Sequence, residues 1–246
     1  MKKLKLAAKI TLIVGLCVSL ILLATFSYLS IRQNNQDTER AYSDATQIAT
    51  DTSQEIKSKL ETVLHSARAL SQSLSAYESF SVVDRREICD SLVKQTAMGN
   101  DNILGTWACF EPNALDGRDR QFANTEGYDA TGRFISNWAR SDSGVDYCVL
   151  VDYATEGAGD YYLSAKSSER ETILEPYLYE VAGKDVLLTT FSVPIHNAAG
   201  KVVGVAGMDI SLDALNETTY DSSEYDTDSV YLVSENRHLH HTQQQR

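Results

Sequence analysis

Residues 10–29 form a run of 20 residues without a charged side chain. A helix rises about 1.5 Å per residue, so this run is long enough to cross the roughly 30 Å hydrocarbon layer of a membrane. The run is longer than the apolar part of a usual signal peptide, and no clean small-residue cleavage site follows it. We therefore predict an uncleaved transmembrane helix at residues 10–31, with a cleaved signal peptide as the alternative.

The charges around the apolar run predict its orientation. Four lysines precede it, and acids dominate after it. Because positively charged flanks stay in the cytoplasm, residues 1–9 are expected to be cytoplasmic, with the bulk of the chain outside the inner (plasma) membrane. Residues 33–246 carry 17 basic side chains against 34 acidic ones. A surface of this charge repels phosphates, so nucleic acid is excluded as a partner.

A long amphipathic helix is predicted directly after the membrane segment. Residues 33–78 contain no Gly or Pro, and apolar side chains recur there mostly at three- and four-residue steps. The helix would be about 70 Å long, which is more than a domain of this size needs for its own core. We expect a stalk helix at residues 33–80 that forms a homodimer. The alternative is that its apolar face packs only on its own domain.

The periodicity then changes to that of strands, after a second helix at about residues 83–98. Segments rich in β-branched and aromatic residues predict strands, and these lie at residues 103–110, 172–181, 185–195, 201–210 and 229–233. Gly200 suits a hairpin turn between two of them, and Ser211 is expected to cap a short helix. The fold class is therefore α+β, with one mixed module at residues 81–218.

The sequence carries no signature of an enzyme or a metal site. Nucleophile-elbow, HExxH, Walker and GxGxxG motifs are absent. Its four cysteines show no CxxC spacing, and an odd number of them lies beyond the membrane segment, so neither zinc nor a disulfide framework is predicted. The one histidine cluster lies in the C-terminal tail at residues 238–241. We expect no catalytic residue, no cofactor and no metal.

Several segments match a known family in their order and their residues. They are Trp107, GRFISNWAR (132–140), EPYLY (175–179), TTFSVPI (189–195) and GVAGMDISL (204–212). Over roughly residues 33–235 the chain resembles the double-Cache sensor domains of bacterial chemoreceptors (methyl-accepting chemotaxis proteins) and related sensor kinases. The resemblance implies a membrane-distal, PAS-like antiparallel sheet with a ligand pocket. Residues 219–246 are then expected to be the truncated start of a smaller, membrane-proximal module, which makes the chain an N-terminal fragment.

The resemblance also implies ligand-contacting residues. In amino-acid-binding members, an aromatic segment with Arg and Trp holds the ligand carboxylate, while Tyr and Asp side chains on two strands hold the ammonium. Carried onto this sequence, these residues are Trp138, Arg140, Tyr177, Tyr179 and Asp209. Two positions depart from the family pattern, because Tyr179 replaces an acid and Ser136 lies near the position of the expected arginine. Carboxylates flanked by aromatic faces suit an ammonium group, which carries three donors and a positive charge.

Each of these residues also has a structural alternative. Trp138 could belong to the hydrophobic core, and Arg140 could be a solvent-exposed surface charge. Asp209 could serve only to stabilise the turn before Ser211. As a whole, the sequence predicts the sensing region of a membrane receptor of the chemotaxis type, which binds a small polar ligand such as an amine or an amino acid. The alternatives are a membrane-tethered interaction or stalk protein without a ligand, and the sensor region of a histidine kinase or a diguanylate cyclase.

Overall fold

The computed structural model describes residues 6–141, 143–181, 184–219, 232–233 and 239–240. The chain divides into two units, Met1–Thr52 and Ser53–Arg246. Helix α1 (Leu6–Ser75) supplies the described residues of the first unit, where the large apolar side chains of residues 10–29 are exposed. Within the described ranges, one helix is long and apolar enough to cross a membrane, and it begins near the N-terminus.

The second unit combines the remainder of α1 with an antiparallel sheet. A 3-10 turn (Ala76–Ser79) follows α1, and the further helices are α2 (Arg85–Met98), α3 (Asp119–Phe122), α4 (Asp160–Ser168) and α5 (Leu212–Thr219). The strands are β1 (Gly105–Phe110), β2 (Ile135–Ser141), β3 (Gly144–Tyr147), β4 (Thr172–Ile173), β5 (Tyr177–Val181), β6 (Lys184–His196) and β7 (Val202–Ser211). They follow the order β3-β2-β1-β7-β6-β4, and β5 also pairs with β6. A separate two-stranded pair joins β8 (Leu232–Val233) and β9 (Leu239–His240).

The sheet has an apolar cluster on each face, because successive side chains of a strand point to opposite sides. On one face, Leu70 and Leu74 of α1 pack with Phe191 of β6 and with α2. On the other face, Trp107 of β1 packs with Tyr161 of α4. The second unit thus has an α+β, PAS-like fold in which long helices pack on one face of the sheet only.

Several predicted elements are confirmed. The predicted transmembrane and stalk segments both lie in α1, the helix predicted at about 83–98 corresponds to α2, and the segment at 103–110 contains β1. Strands β6 and β7 form the expected hairpin, in which Gly200 has a φ of +77°. Ser211 accepts a hydrogen bond on its Oγ from the amide of Ala214 at 3.3 Å, as expected of the residue that caps α5.

One strand prediction is wrong, and several elements lie outside the predicted helices and strands. The single strand expected at 172–181 is interrupted between β4 and β5, where Pro176 has no N–H for a ladder hydrogen bond. Helices α3 and α4 and strand β3 were not predicted, and strand β2 was expected only through the family resemblance of residues 132–140. The strand expected at 229–233 and the start of a second module lie largely outside the described residues, and the predicted domain boundaries stay predictions.

The polar stretch between β1 and β2 packs around a buried arginine. Arg86 of α2 donates hydrogen bonds to Asp116 at 2.8 Å, to Asp119 at 2.7 Å and to the carbonyl of Gly132 at 3.0 Å. Its guanidinium carbon lies 4.0 Å from the ring centre of Phe122. A buried guanidinium requires such partners, so this network explains why a long polar connection is ordered.

Candidate ligand-binding site

A cavity of about 1250 Å³ opens on the face of the sheet that carries α4. Strands β1, β2 and β7 provide its floor, while the loop after β3, helix α4 and residues 172–181 provide its walls. Binding pockets for small molecules typically measure about 300–1,000 Å³. The cavity is therefore large enough for a metabolite-sized ligand.

Asp209 of β7 presents a free carboxylate oxygen to this cavity. Its Oδ1 accepts hydrogen bonds from Thr190 Oγ1 at 2.6 Å and from Trp107 Nε1 at 3.4 Å. None of the hydrogen bonds of the described residues uses Oδ2, and a Cβ at Gly105 would lie only 2.9 Å from that atom. The absence of a side chain at Gly105 therefore leaves space for a ligand group beside Oδ2.

The environment of Asp209 favours a cationic partner. Burial raises the pKa of this carboxyl to about 6, while the hydrogen bonds from Thr190 and Trp107 act in the opposite direction. Desolvation disfavours the ionised form of a carboxyl, and a nearby positive charge favours it. A bound cation would thus supply the interaction that the ionised side chain lacks.

Three tyrosine rings line the cavity near this carboxylate. The ring centres of Tyr177 and Tyr179 are 6.2 Å apart, and those of Tyr179 and Tyr161 are 5.9 Å apart. Burial raises the pKa of the Tyr177 and Tyr161 hydroxyls, so these rings are neutral at ordinary pH. Tyr177 shares a hydrogen bond of 2.7 Å with Thr190, which links it to Asp209. The faces of neutral aromatic rings attract cations.

The charged residues that line the cavity all have the same sign. They are Asp152, Asp160, Glu175, Glu180 and Asp209. Among the described lining residues there is no Lys, Arg or His. The cavity is therefore suited to a positive ligand, and it offers no cationic partner to a ligand carboxylate.

Trp138 and Arg140 lie on the opposite face of β2, against α2. The indole nitrogen of Trp138 donates to Asp90 Oδ1 at 3.0 Å, and Arg140 donates to the carbonyl of Ile103 at 2.9 Å. Strand alternation therefore directs both side chains away from the cavity. The structure brings together Tyr177, Tyr179 and Asp209, and it does not bring Trp138 or Arg140 to them.

Sequence reasoning missed several residues around the cavity, namely Gly105, Asn137, Tyr161 and Thr190. Thr190 lies directly opposite Asp209 in the β6–β7 register, and Gly105 lies opposite Asp209 in the β1–β7 register. The period-two pattern of β2 indicates that residues 137 and 139 share a face. That pattern does not reveal which face carries a cavity, because the position of α4 decides it.

An antiparallel sheet with long helices on one face and a walled cavity on the other defines a PAS-like sensor domain of the Cache type. The chain belongs to the family described as methyl-accepting chemotaxis protein-like, first PDC sensor domain, whose model matches residues 89–217. This result confirms the family resemblance and the fold class inferred from the sequence.

A curated relative and two solved structures agree with this assignment. The chain is 33% identical over 144 residues to the methyl-accepting chemotaxis protein TlpQ of Pseudomonas aeruginosa, a match that covers 54% of the chain and 20% of TlpQ. It is 29% identical to the extracellular domain of the histidine kinase mmHK1S-Z3, with a TM-score of 0.61 over 72% of the chain and 61% of that structure. It is 27% identical to methyl-accepting chemotaxis protein X, with a TM-score of 0.61 over 78% of the chain and 68% of that structure. The chain thus spans about one fifth of the length of TlpQ.

Proposed function

We propose that this chain is the sensing region of a membrane-anchored chemotaxis receptor and that its cavity binds a small cationic amine. The observation that carries the proposal is Asp209, a partly buried carboxylate whose Oδ2 accepts no hydrogen bond from the described residues and lies beside Gly105. An ammonium group placed there would donate to Oδ2 and contact the tyrosine rings. The domain acts by binding, and we assign it no catalytic residue.

The charge of the cavity favours an amine over an amino acid. An α-amino acid carries a carboxylate, which needs a cationic or strong hydrogen-bond donor partner in a buried site. The described lining residues supply five carboxylates and no basic side chain. The acidic lining residues would therefore repel a ligand carboxylate and attract a protonated amine.

Titration of the detergent-solubilised chain with three ligands of five carbons each tests this proposal. We expect pentylamine to bind, 5-aminopentanoate to bind at least tenfold more weakly, and pentanoate to show no binding, because each added carboxylate faces like charges. Isothermal titration calorimetry gives the affinities, and a rise in melting temperature provides an independent measure of binding. Equal or tighter binding of 5-aminopentanoate would contradict the proposal.

We also propose that the sensing module is extracytoplasmic and the N-terminus cytoplasmic, because four lysines precede the apolar part of α1. Alkaline phosphatase fused after Arg246 should be active, since this enzyme folds only outside the cytoplasm, whereas a fusion after Lys9 should be inactive. Substitution of the four lysines by glutamate should lower the activity of the Arg246 fusion. Phosphatase activity after Lys9 and none after Arg246 would show the reverse orientation.

A further inference from the structure

Asn137 of β2 lines the cavity and carries a buried polar atom without a partner. The residue is 6% exposed, and its Oδ1 makes no hydrogen bond. Nearly all buried polar atoms in proteins are hydrogen-bonded, so an exception on a residue that lines a cavity points to a partner from outside the chain. Neither the family resemblance nor the residues around Asp209 assign a role to this side chain.

The register of the sheet fixes the position of Asn137 relative to Asp209. Gly105 of β1 pairs with Asp209 on one side and with Ala139 on the other, and Asn137 lies two residues from Ala139 along β2. Strands are spaced by about 4.8 Å and rise by about 3.4 Å per residue, so the Cα atoms of Asp209 and Asn137 are roughly 12 Å apart. Gly105 and Ala139, whose side chains do not exceed a methyl group, line the cavity on one side of the line that joins these two Cα atoms, and the buried Trp107, which pairs with Asn137, lies on the other side.

We propose that the amide of Asn137 is a second anchor of the cavity and that the ligand is a primary amine with a second N–H or O–H donor. This inference rests on the amine-binding function proposed above. With the two side-chain oxygens as far apart as their Cα atoms, hydrogen bonds of about 2.9 Å at each end leave about 6 Å or more between the two ligand donors, which a chain of about four or five carbons spans. The side-chain amide accepts through Oδ1, and the ammonium remains at Asp209 Oδ2.

A comparison of three ligands with the variants Asn137→Leu and Asp209→Asn tests this inference on the full chain. The ligands are 1,5-diaminopentane, 5-aminopentan-1-ol and pentylamine. The amino alcohol has a neutral second donor, so its response to Asn137→Leu excludes the attraction of a second positive charge by the exposed carboxylates that line the cavity. We expect Asn137→Leu to weaken the first two ligands about tenfold and pentylamine less than twofold, whereas Asp209→Asn weakens all three.

The melting temperature separates a binding role from a structural one. Leucine is similar in size to asparagine and removes an unpaired polar atom, so Asn137→Leu should keep or raise the melting temperature of the ligand-free chain. A fall of several degrees with unchanged affinities would overturn the inference, as would equal weakening of all three ligands. In both cases the loss of affinity in Asp209→Asn would leave the amine-binding function intact. If none of the three ligands binds the parent chain, both proposals are wrong.

Discussion

The substitution Asp209→Asn should weaken the binding of a primary amine by about 1.5–3 kcal/mol, which is the range of a hydrogen bond to a charged group. Asparagine preserves the size of the side chain and can still accept from Thr190 and Trp107 through its oxygen. It removes the negative charge and the free acceptor beside Gly105. Isothermal titration calorimetry at about pH 7.5, with circular dichroism to verify folding, measures the effect.

Asp152→Asn is the matched control for this prediction. Asp152 also lines the cavity, but it is exposed, and its φ of +57° lies in a region that asparagine adopts readily. Since exposed charges contribute little, the affinity of this variant should change by less than about threefold. An unchanged affinity in Asp209→Asn would refute the assignment of Asp209 to the site.

The substitution Asp209→Asn also separates a binding role of Asp209 from a structural role when no ligand is present. Its folded-state pKa of about 6 lies above the ordinary value of 3.8. The carboxyl therefore contributes stability that is fully present below about pH 4 and is lost as the pH rises through about 6. Asp209→Asn should raise the melting temperature near pH 7.5 and not near pH 4. A lower melting temperature at pH 7.5 would instead indicate that Asp209 stabilises the end of β7.

Arg86→Met should destabilise the domain by about 3–5 kcal/mol, because it leaves two carboxylates buried without their cation. Both Asp116 and Asp119 bond the guanidinium of Arg86, and the side chains of all three are almost fully buried. Burial alone would raise the pKa of Asp116, but hydrogen bonds from Arg86 and from the Arg118 amide hold that pKa below its usual range. Denaturant unfolding at neutral pH measures the loss.

Arg120→Met is the control for the arginine network. Arg120 lies in the same connection between β1 and β2 but is exposed. Its replacement should change the free energy of unfolding by less than about 0.5 kcal/mol. Equal effects of the two substitutions would show that net charge, and not the buried network around Arg86, determines the stability of this loop.

Much of the fold follows from local sequence patterns. The absence of Gly and Pro from residues 33–78 predicts a long helix, and β-branched segments around Gly200 predict the β6–β7 hairpin. These patterns are local, so they can be recognised in the sequence without knowledge of the tertiary structure. Dimerisation through α1 depends on a second chain, and it stays a prediction.

The site is harder to predict because it depends on which face of each strand carries the cavity. Alternation correctly groups Tyr177 with Tyr179, and it separates Asn137 from Trp138. It does not indicate that α2 covers Trp138 and Arg140 while α4 and its neighbouring loops enclose the other face. Helix α4 itself follows a segment rich in turn residues and has a weak apolar period, so Tyr161 gave no signal in the sequence.

Proton release on amine binding tests the central claim most directly. If an ammonium binds ionised Asp209, a carboxyl with a pKa of about 6 must lose its proton when the ligand binds. Calorimetry near pH 5.5, in two buffers of different ionisation enthalpy, should show proton release when the parent chain binds the amine. Release should vanish near pH 8 and in Asp209→Asn. Binding of the amine without proton release near pH 5.5, or the same release in Asp209→Asn, would contradict the account.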